Sequence, residues 1–364
     1  MTVVRPVKVL IIDDSALVRQ FLSKVLSQDK EIEVVGTAVD PLYAVKKIKE
    51  RRPDVLTLDL EMPRMDGLTF LRKLMAVYPL PVVVISSLAH RGSAATIQAL
   101  ELGAVDFVTK PSLGVRAGLQ NMSAEIITKV KNAATINMQL LQRQVDNTNR
   151  AGKVLGAGPL PGEKSINFPA GAGNNYNKVI AIGGSTGGTV AVRQILGALP
   201  VGLPGIVVIL HMPAGFTASY AQSLNDFCPF QVKEADDGEP LRPNHVYIAP
   251  GGKHLLLRKK TTGFYLRLDM GPPVNRHRPS VDKTFFSVAQ YTSPHSIGVL
   301  LTGMGEDGAQ GLKEMYNSGS PTIAQDKQSS IVFGMPKQAI ALGAAGSILP
   351  LEEIAAAIVN FIKN

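Results

Sequence analysis

The 364-residue chain is 45% hydrophobic and carries a net charge of +9, enough apolar material for two or three domains with their own cores. A single cysteine, Cys228, excludes an internal disulfide, and no apolar run is long enough to span a bilayer. The positive charge is spread along the chain, tryptophan is absent, and no basic stripe interleaves with aromatic residues, which argues against nucleic acid as a partner. The start, MTVVRPVK, runs into a strand pattern without the hydrophobic stretch of a signal peptide, so the expected location is the cytoplasm, with no membrane insertion.

Over residues 1–140 apolar runs alternate with helical periodicity. Val7 to Ile12 is followed by a helix from Ser15, Ile32 to Thr37 by a helix after Pro41, and Val55 to Leu60 by a helix from Leu68. Val82 to Ser86, a helix from Ser93 and Val105 to Thr109 complete the series. Five short apolar strands separated by helices predict an α/β domain with a parallel sheet covered on both faces. Polar residues gather at the carboxyl ends of these strands: Asp13 and Asp14 after the first, Asp59 in the third, Ser86 after the fourth and Lys110 after the fifth. That edge is where open α/β sheets bind ligands. Three carboxylates meeting there would repel unless a cation joined them, and hard oxygen ligands suit Mg²⁺. Taken singly, Asp13 is a helix cap and Asp59 a polar strand end, but a cap does not explain the set.

DDS at Asp13 to Ser15, LDLEMPRMDG at Leu58 to Gly67, SS at Ser86 and TKP at Thr109 to Pro111 make the whole first domain resemble a response-regulator receiver domain. The resemblance implies a flavodoxin-like fold with Asp59 as phospho-acceptor and with Asp13, Asp14, Asp59 and the Glu61 carbonyl around Mg²⁺. It further implies that Ser86 senses the acyl phosphate through its hydroxyl, that Lys110 contacts a phosphoryl oxygen, and that the Lys110-Pro111 bond is cis. A receiver governs an output, so the rest of the chain is expected to hold one.

Helical periodicity, with Ile126, Ile127, Val130 and Ala134 on one face, fades near Gln144. Residues 141–175 are rich in Gly, Pro and Asn and read as an interdomain linker ahead of a second domain at 176–364.

The second domain opens on VIAIGGSTGG, Val179 to Gly188, in which an apolar run meets a glycine-flanked serine. Gly183-x-Ser185-x-Gly187 has the spacing of the nucleophile elbow, a sharp strand-to-helix turn that exposes a serine hydroxyl above a sheet. A phosphate-holding turn would need glycine where Ser185 stands or, as a P-loop, lysine where Thr189 stands. On this stretch alone a structural or anion-binding turn stays open. After a helix through Ala191 to Leu199, the strand Gly205 to Leu210 ends at His211, and the strand Ile297 to Leu301 feeds LTGMGEDGAQG, which carries Asp307. If the three strands are parallel neighbours, Ser185, His211 and Asp307 converge as nucleophile, base and orienting carboxylate. Asp282 in RHRPSVD competes with Asp307 if that segment folds over the site. His245, His254, His277 and His295 fall before or beside strands or in polar turns, away from that edge.

The order Ser, His, Asp differs from those of α/β-hydrolases, chymotrypsin and subtilisin. IAIGGSTGG, HMP at His211 to Pro213, HRPSVD at His277 to Asp282 and LLTGMGEDGA at Leu300 to Ala309 instead resemble the catalytic domain of the chemotaxis-type protein-glutamate methylesterases. The resemblance implies a doubly wound, mostly parallel α/β hydrolytic domain with Ser185, His211 and Asp307 as triad and the Met304 N–H in the oxyanion hole; elbow geometry adds the Thr186 N–H. It also implies hydrolysis, without a cofactor, of methyl esters on glutamates of chemoreceptor helices, with deamidation of receptor glutamines. A chemotaxis-type histidine kinase is the implied phosphodonor. Phosphorylation of Asp59 would free the catalytic face from the receiver, so deletion of residues 1–145 should raise basal activity. Gly184 stands where the family usually has alanine, and Glu306 occupies a variable position. Two other readings remain: a phospho-regulated serine esterase or amidase with a small substrate, and a non-enzymatic switch that binds a partner when phosphorylated.

Overall fold

The computed structural model describes residues 5–87, 90–110, 116–155, 178–261 and 263–363. The chain divides into two compact units, Met1–Gln142 and Arg143–Asn364. Among the described residues no helix is long and apolar enough to cross a membrane.

In the first unit the chain runs β1 (Val7–Ile12), α1 (Ala16–Leu26), β2 (Ile32–Ala38), α2 (Pro41–Arg51), β3 (Val55–Asp59) and α3 (Gly67–Val77). It continues through β4 (Val82–Ser86), α4 (His90–Glu101), β5 (Asp106–Thr109) and α5 (Arg116–Ala133). The strands form one parallel sheet in the order β2-β1-β3-β4-β5, and every residue of β3 and β4 is buried. Burial on both faces is why these strands read as unbroken apolar runs rather than alternating ones. The helices begin where side chains satisfy their first amides: Ser15 Oγ accepts from the Val18 N–H, Asp40 from Tyr43 and Asp66 from Thr69. The expected cis bond at Lys110-Pro111 lies outside the described residues.

Helix α6 (Met138–Leu155) continues well past Gln144, where the apolar period fades. Leu141, Gln144, Val145 and Thr148 share one face and are all buried, but two of the four are polar. Thr148 Oγ1 donates to the Gln144 carbonyl (2.8 Å), so its hydroxyl is satisfied along the helix itself. A period written in apolar letters alone therefore ends too early.

The second unit contains β6 (Val179–Gly184), α7 (Gly188–Ala198), β7 (Gly205–Leu210), α8 (Phe216–Asn225), β8 (Gln231–Glu234), β9 (His245–Ile248), β10 (His254–Lys260) and β11 (Gly263–Asp269). These are followed by α9 (Val281–Thr292), β12 (Ser296–Leu300), α10 (Ala309–Asn317), β13 (Thr322–Gln325), α11 (Met335–Ala341), β14 (Ser347–Leu349) and α12 (Leu351–Lys363). Seven strands form a sheet in the order β14-β13-β12-β6-β7-β9-β8, with every neighbouring pair parallel, while β10 and β11 make a separate antiparallel hairpin. From β6 the chain builds outward through β7 and then returns to add β12 on the other side. This reversal of strand order makes a crevice at the carboxyl ends of β12, β6 and β7. All three strands are buried throughout.

Candidate functional site

The three central strands deliver the expected side chains to that crevice: Ser185 follows β6, His211 follows β7, and Asp307 lies between β12 and α10. The turn after β6 passes through Gly187 at φ 79°, a left-handed conformation that glycine adopts without steric cost, and α7 begins at the next residue. Ser185 is held by its own backbone, its N–H donating to the Thr302 carbonyl (3.0 Å) and its carbonyl accepting from the Gly188 N–H (2.7 Å). Gly303 packs directly on it, because a Cβ there would lie 2.8 Å from Ser185 Cβ and would collide with the Met335 sulfur. At Gly184, by contrast, a Cβ would meet its neighbours at 3.4 Å, so the space tolerates an alanine.

His211 Nε2 is 2.8 Å from Asp307 Oδ2, and the two side chains are 5% and 1% exposed. The ionised carboxylate only accepts, so Nε2 carries the hydrogen, and Nδ1 is left buried with no hydrogen-bond partner among the described residues. Asp307 accepts from five donors. Val281 N–H (2.7 Å) joins His211 on Oδ2, and Ser280 Oγ (2.7 Å), Asn275 Nδ2 (3.0 Å) and the Asp282 N–H (3.3 Å) reach Oδ1. Ser280 is the N-cap of α9, so the carboxylate also sits at a helix N-terminus, where a negative charge is favoured. Burial alone would raise the Asp307 pKa, but His211, Asn275 and Ser280 hold it well below the usual carboxylate range.

The segment around Asp282 does fold over the site, yet Asp282 serves a different contact. Its Oδ1 accepts from the Gly311 N–H (2.7 Å) and its Oδ2 from Asn275 Nδ2 (2.8 Å). Burial, aided by the neighbouring charge of Asp307, pushes the Asp282 carboxyl up to about 6. Asn275 thus bridges the two carboxylates. His277 stacks on His211 with ring centroids 3.6 Å apart and planes 4° from parallel. His277, expected in a polar turn away from that edge, thus lies at it, and Asn275 carried no signal of its own; both sit in a polar turn without periodicity, where HRPSVD was the available signal.

Thr186 and Met304 lie on the loops after β6 and β12. These loops are tied together by the Ser185–Thr302 bond and by Thr302 Oγ1 donating to the Thr186 carbonyl (3.0 Å). Thr186 is buried and Met304 is 41% exposed.

In the first unit the acidic residues converge as their strand-end positions predict. Carboxylate oxygens of Asp13, Asp14 and Asp59 lie within 4.8 Å of one another. Lys110 Nζ donates to Asp59 Oδ2 (2.6 Å) and lies 3.5 Å from Asp13 Oδ2. Asp59 Oδ1 accepts from the Glu61 N–H (3.1 Å), and Asp13 Oδ1 from the Ser15 N–H (2.8 Å). Burial and the nearby Asp59 charge push Asp13 up to about 6, and burial also raises Asp59 despite its bond to Lys110. Burial opposes the Lys110 ammonium, but its contacts with Asp59 and Asp13 raise its pKa on balance. Ser86 is buried at the end of β4, its Oγ accepting from Thr96 Oγ1 (2.5 Å). Asp13 Oδ2 is buried without a hydrogen-bond partner among the described residues, an oxygen suited to a cation.

Residues 9–117 match the response regulator receiver domain family, and residues 180–358 match the CheB methylesterase family. The chain is 48% identical over 355 residues to a protein-glutamate methylesterase/protein-glutamine glutaminase of Xanthomonas campestris, spanning 98% of this chain and 97% of that one. It is 48% identical to the enzyme of the same name from Hydrogenovibrio crunogenus, spanning 98% of this chain and 99% of that one. For the one from Salmonella typhimurium the identity is 47%, spanning 96% and 95%. With both units matched and similarity running through nearly the whole length, the chain belongs to the CheB methylesterase family, with a response regulator receiver domain ahead of the methylesterase domain.

Proposed function

We propose that the chain is a phosphorylation-activated protein-glutamate methylesterase that also deamidates glutamine, acting on chemoreceptor helices. The observation that carries the chemistry is the placement of Ser185, His211 and Asp307 at the ends of three adjacent parallel strands, with His211 bonded to Asp307 and its Nδ1 without a hydrogen-bond partner among the described residues. His211 Nδ1 takes the Ser185 proton as Oγ attacks the ester carbonyl, and Asp307 stabilises the imidazolium through Nε2. The resulting oxyanion accepts from the Thr186 and Met304 N–H groups. On collapse the proton passes from Nδ1 to the methoxy oxygen and methanol leaves. Water then loses a proton to the same nitrogen and attacks the acyl-enzyme, releasing the carboxylate and restoring the serine. With a glutamine side chain the leaving group is ammonia, which depends more heavily on that proton. The usual roles of the imidazole nitrogens are exchanged here, since Nε2 faces the carboxylate.

Gly303→Ala tests how closely this nucleophile is packed. The added methyl overlaps Ser185 and Met335, and displacing a nucleophile by about 1 Å costs roughly a hundredfold in rate. Turnover of a small ester should fall by about that factor with a modest loss of thermal midpoint; an unchanged rate would show that Ser185 is not the group held in place.

In the receiver, Asp59 is proposed as the phospho-acceptor, with a chemotaxis-type histidine kinase as donor. Asp13, Asp14, Asp59 and the Glu61 carbonyl would hold Mg²⁺, which when bound offsets the negative charge of the carboxylates and the incoming phosphoryl group. Lys110 supplies a cation for a phosphoryl oxygen, and Ser86 a hydroxyl. Acetyl phosphate should stimulate methanol release from methylated receptor membranes by about tenfold or more, equivalent to roughly 1.4 kcal/mol of population shift. Asp59→Asn should abolish the stimulation while leaving the basal rate. Stimulation that survives in Asp59→Asn would remove Asp59 from this role.

A further inference from the structure

Between β11 and α9 the chain makes a two-residue turn from Val274 to His277. It is closed by the Val274 N–H donating to the His277 carbonyl (3.1 Å) and the His277 N–H donating to the Val274 carbonyl (2.8 Å). Asn275 and Arg276 both have positive φ, 50° and 68°. Asparagine tolerates this conformation readily, whereas an arginine there is an outlier kept in place only by its surroundings. The surroundings are the triad itself. On one side Asn275 Nδ2 bonds Asp307 and Asp282, and on the other His277 stacks on His211. Successive Cα atoms are about 3.8 Å apart, so Arg276 is fixed at the rim of the site by its two neighbours.

Arg276 is exposed, and among the described residues its guanidinium has no hydrogen-bond or ion-pair partner. Two cations close to it in the chain are engaged: Arg278 donates to the Met270 and Gly271 carbonyls (2.9 and 3.0 Å), and Lys283 lies 3.6 Å from Asp269. Asp307 and Asp282 are buried and saturated by other donors, and the exposed Glu306 of the Met304–Asp307 loop makes no ion pair among the described residues. Arg276 therefore presents an uncommitted guanidinium, able to pair in two parallel hydrogen bonds, on the turn that contacts Asp307 and His211.

We infer that Arg276 is a specificity-determining residue that binds a substrate carboxylate adjacent to the reacting ester. This rests on the esterase reading above, because each turnover converts a neutral glutamyl ester or glutamine into an anion. A substrate with several reactive positions thus gains carboxylates beside the sites still to be processed, and a guanidinium pairs with them in two parallel hydrogen bonds. The site should prefer partly processed substrate, and the second hydrolysis on one helix should outpace the first.

The test uses the full chain with acetyl phosphate and Mg²⁺, and receptor membranes in which the residues flanking a single methylated glutamate are either Glu or Ala, a neutral residue that the enzyme cannot convert. The wild type should show kcat/KM roughly tenfold higher on the Glu-flanked receptor, the size expected of one charge-assisted pair. That preference should shrink in about 0.5 M salt. Arg276→Ala should bring the ratio near one, Arg276→Glu should reverse it, and Arg276→Lys should keep part of it. Arg276→Gly, which relieves the left-handed strain, provides a second neutral variant if alanine loosens the turn. Equal rates of the wild type on both membranes, or a preference retained in Arg276→Ala and Arg276→Gly, would overturn the inference while leaving the esterase intact. Release of methanol from neither membrane by the wild type would remove the esterase reading and this inference with it.

Discussion

Ser185→Ala should lower kcat by about a millionfold while leaving the fold intact, the scale of loss when the nucleophile of a serine triad is removed. The stability half of this expectation follows from how Ser185 is held. Its ties to Thr302 and Gly188 run through backbone atoms that alanine retains, and the side chain is only partly buried. Coincident thermal melts with a vanished rate would assign the loss to chemistry. The residual rate would report what the oxyanion donors and the binding surface contribute alone.

Asp307→Asn should cost about ten-thousandfold in kcat and, unlike the serine variant, a substantial part of the stability. The amide keeps the shape but turns a donor toward a site built entirely of donors: His211, Val281, Ser280, Asn275 and the Asp282 N–H all point at this carboxylate. An NH₂ facing His211 favours the wrong tautomer and removes the base at Nδ1, while an NH₂ on the other side opposes Ser280 and Asn275. Losing bonds to a buried charged acceptor costs about 3 kcal/mol, read as a lowered thermal midpoint. The pH dependence has a definite sign. Asp307 is depressed below its ordinary 3.8, so its stabilisation is complete above that value and fades as the pH falls through the folded pKa. An Asp307→Asn protein with nearly full activity would reduce Asp307 to an anchor for the start of α9.

Much of this architecture could be read from the letters because parallel strands buried on both faces appear as short apolar runs. β4 and β7 coincide with the runs Val82 to Ser86 and Gly205 to Leu210, and the three strand ends carrying Ser185, His211 and Asp307 are neighbours in the sheet. The short outer strands β8, β9, β13 and β14 have three or four residues each, too few for any period to show. His277 and Asn275 were illegible for a different reason. Their positions depend on a turn with two left-handed residues and on contacts with His211 and Asp307, both distant in the chain. The competition between Asp307 and Asp282 likewise needed coordinates, since both are buried and only hydrogen-bond geometry separates them. In α6 the apolar period broke because polar Gln144 and Thr148 occupy the buried face.

The most direct test of the account is methanol release from methylated receptor membranes, with and without acetyl phosphate and Mg²⁺, by the wild type and by Ser185→Ala. The account predicts release that rises with the phosphodonor and disappears in the variant. Release that persists in Ser185→Ala, or no release from the wild type under either condition, would contradict it.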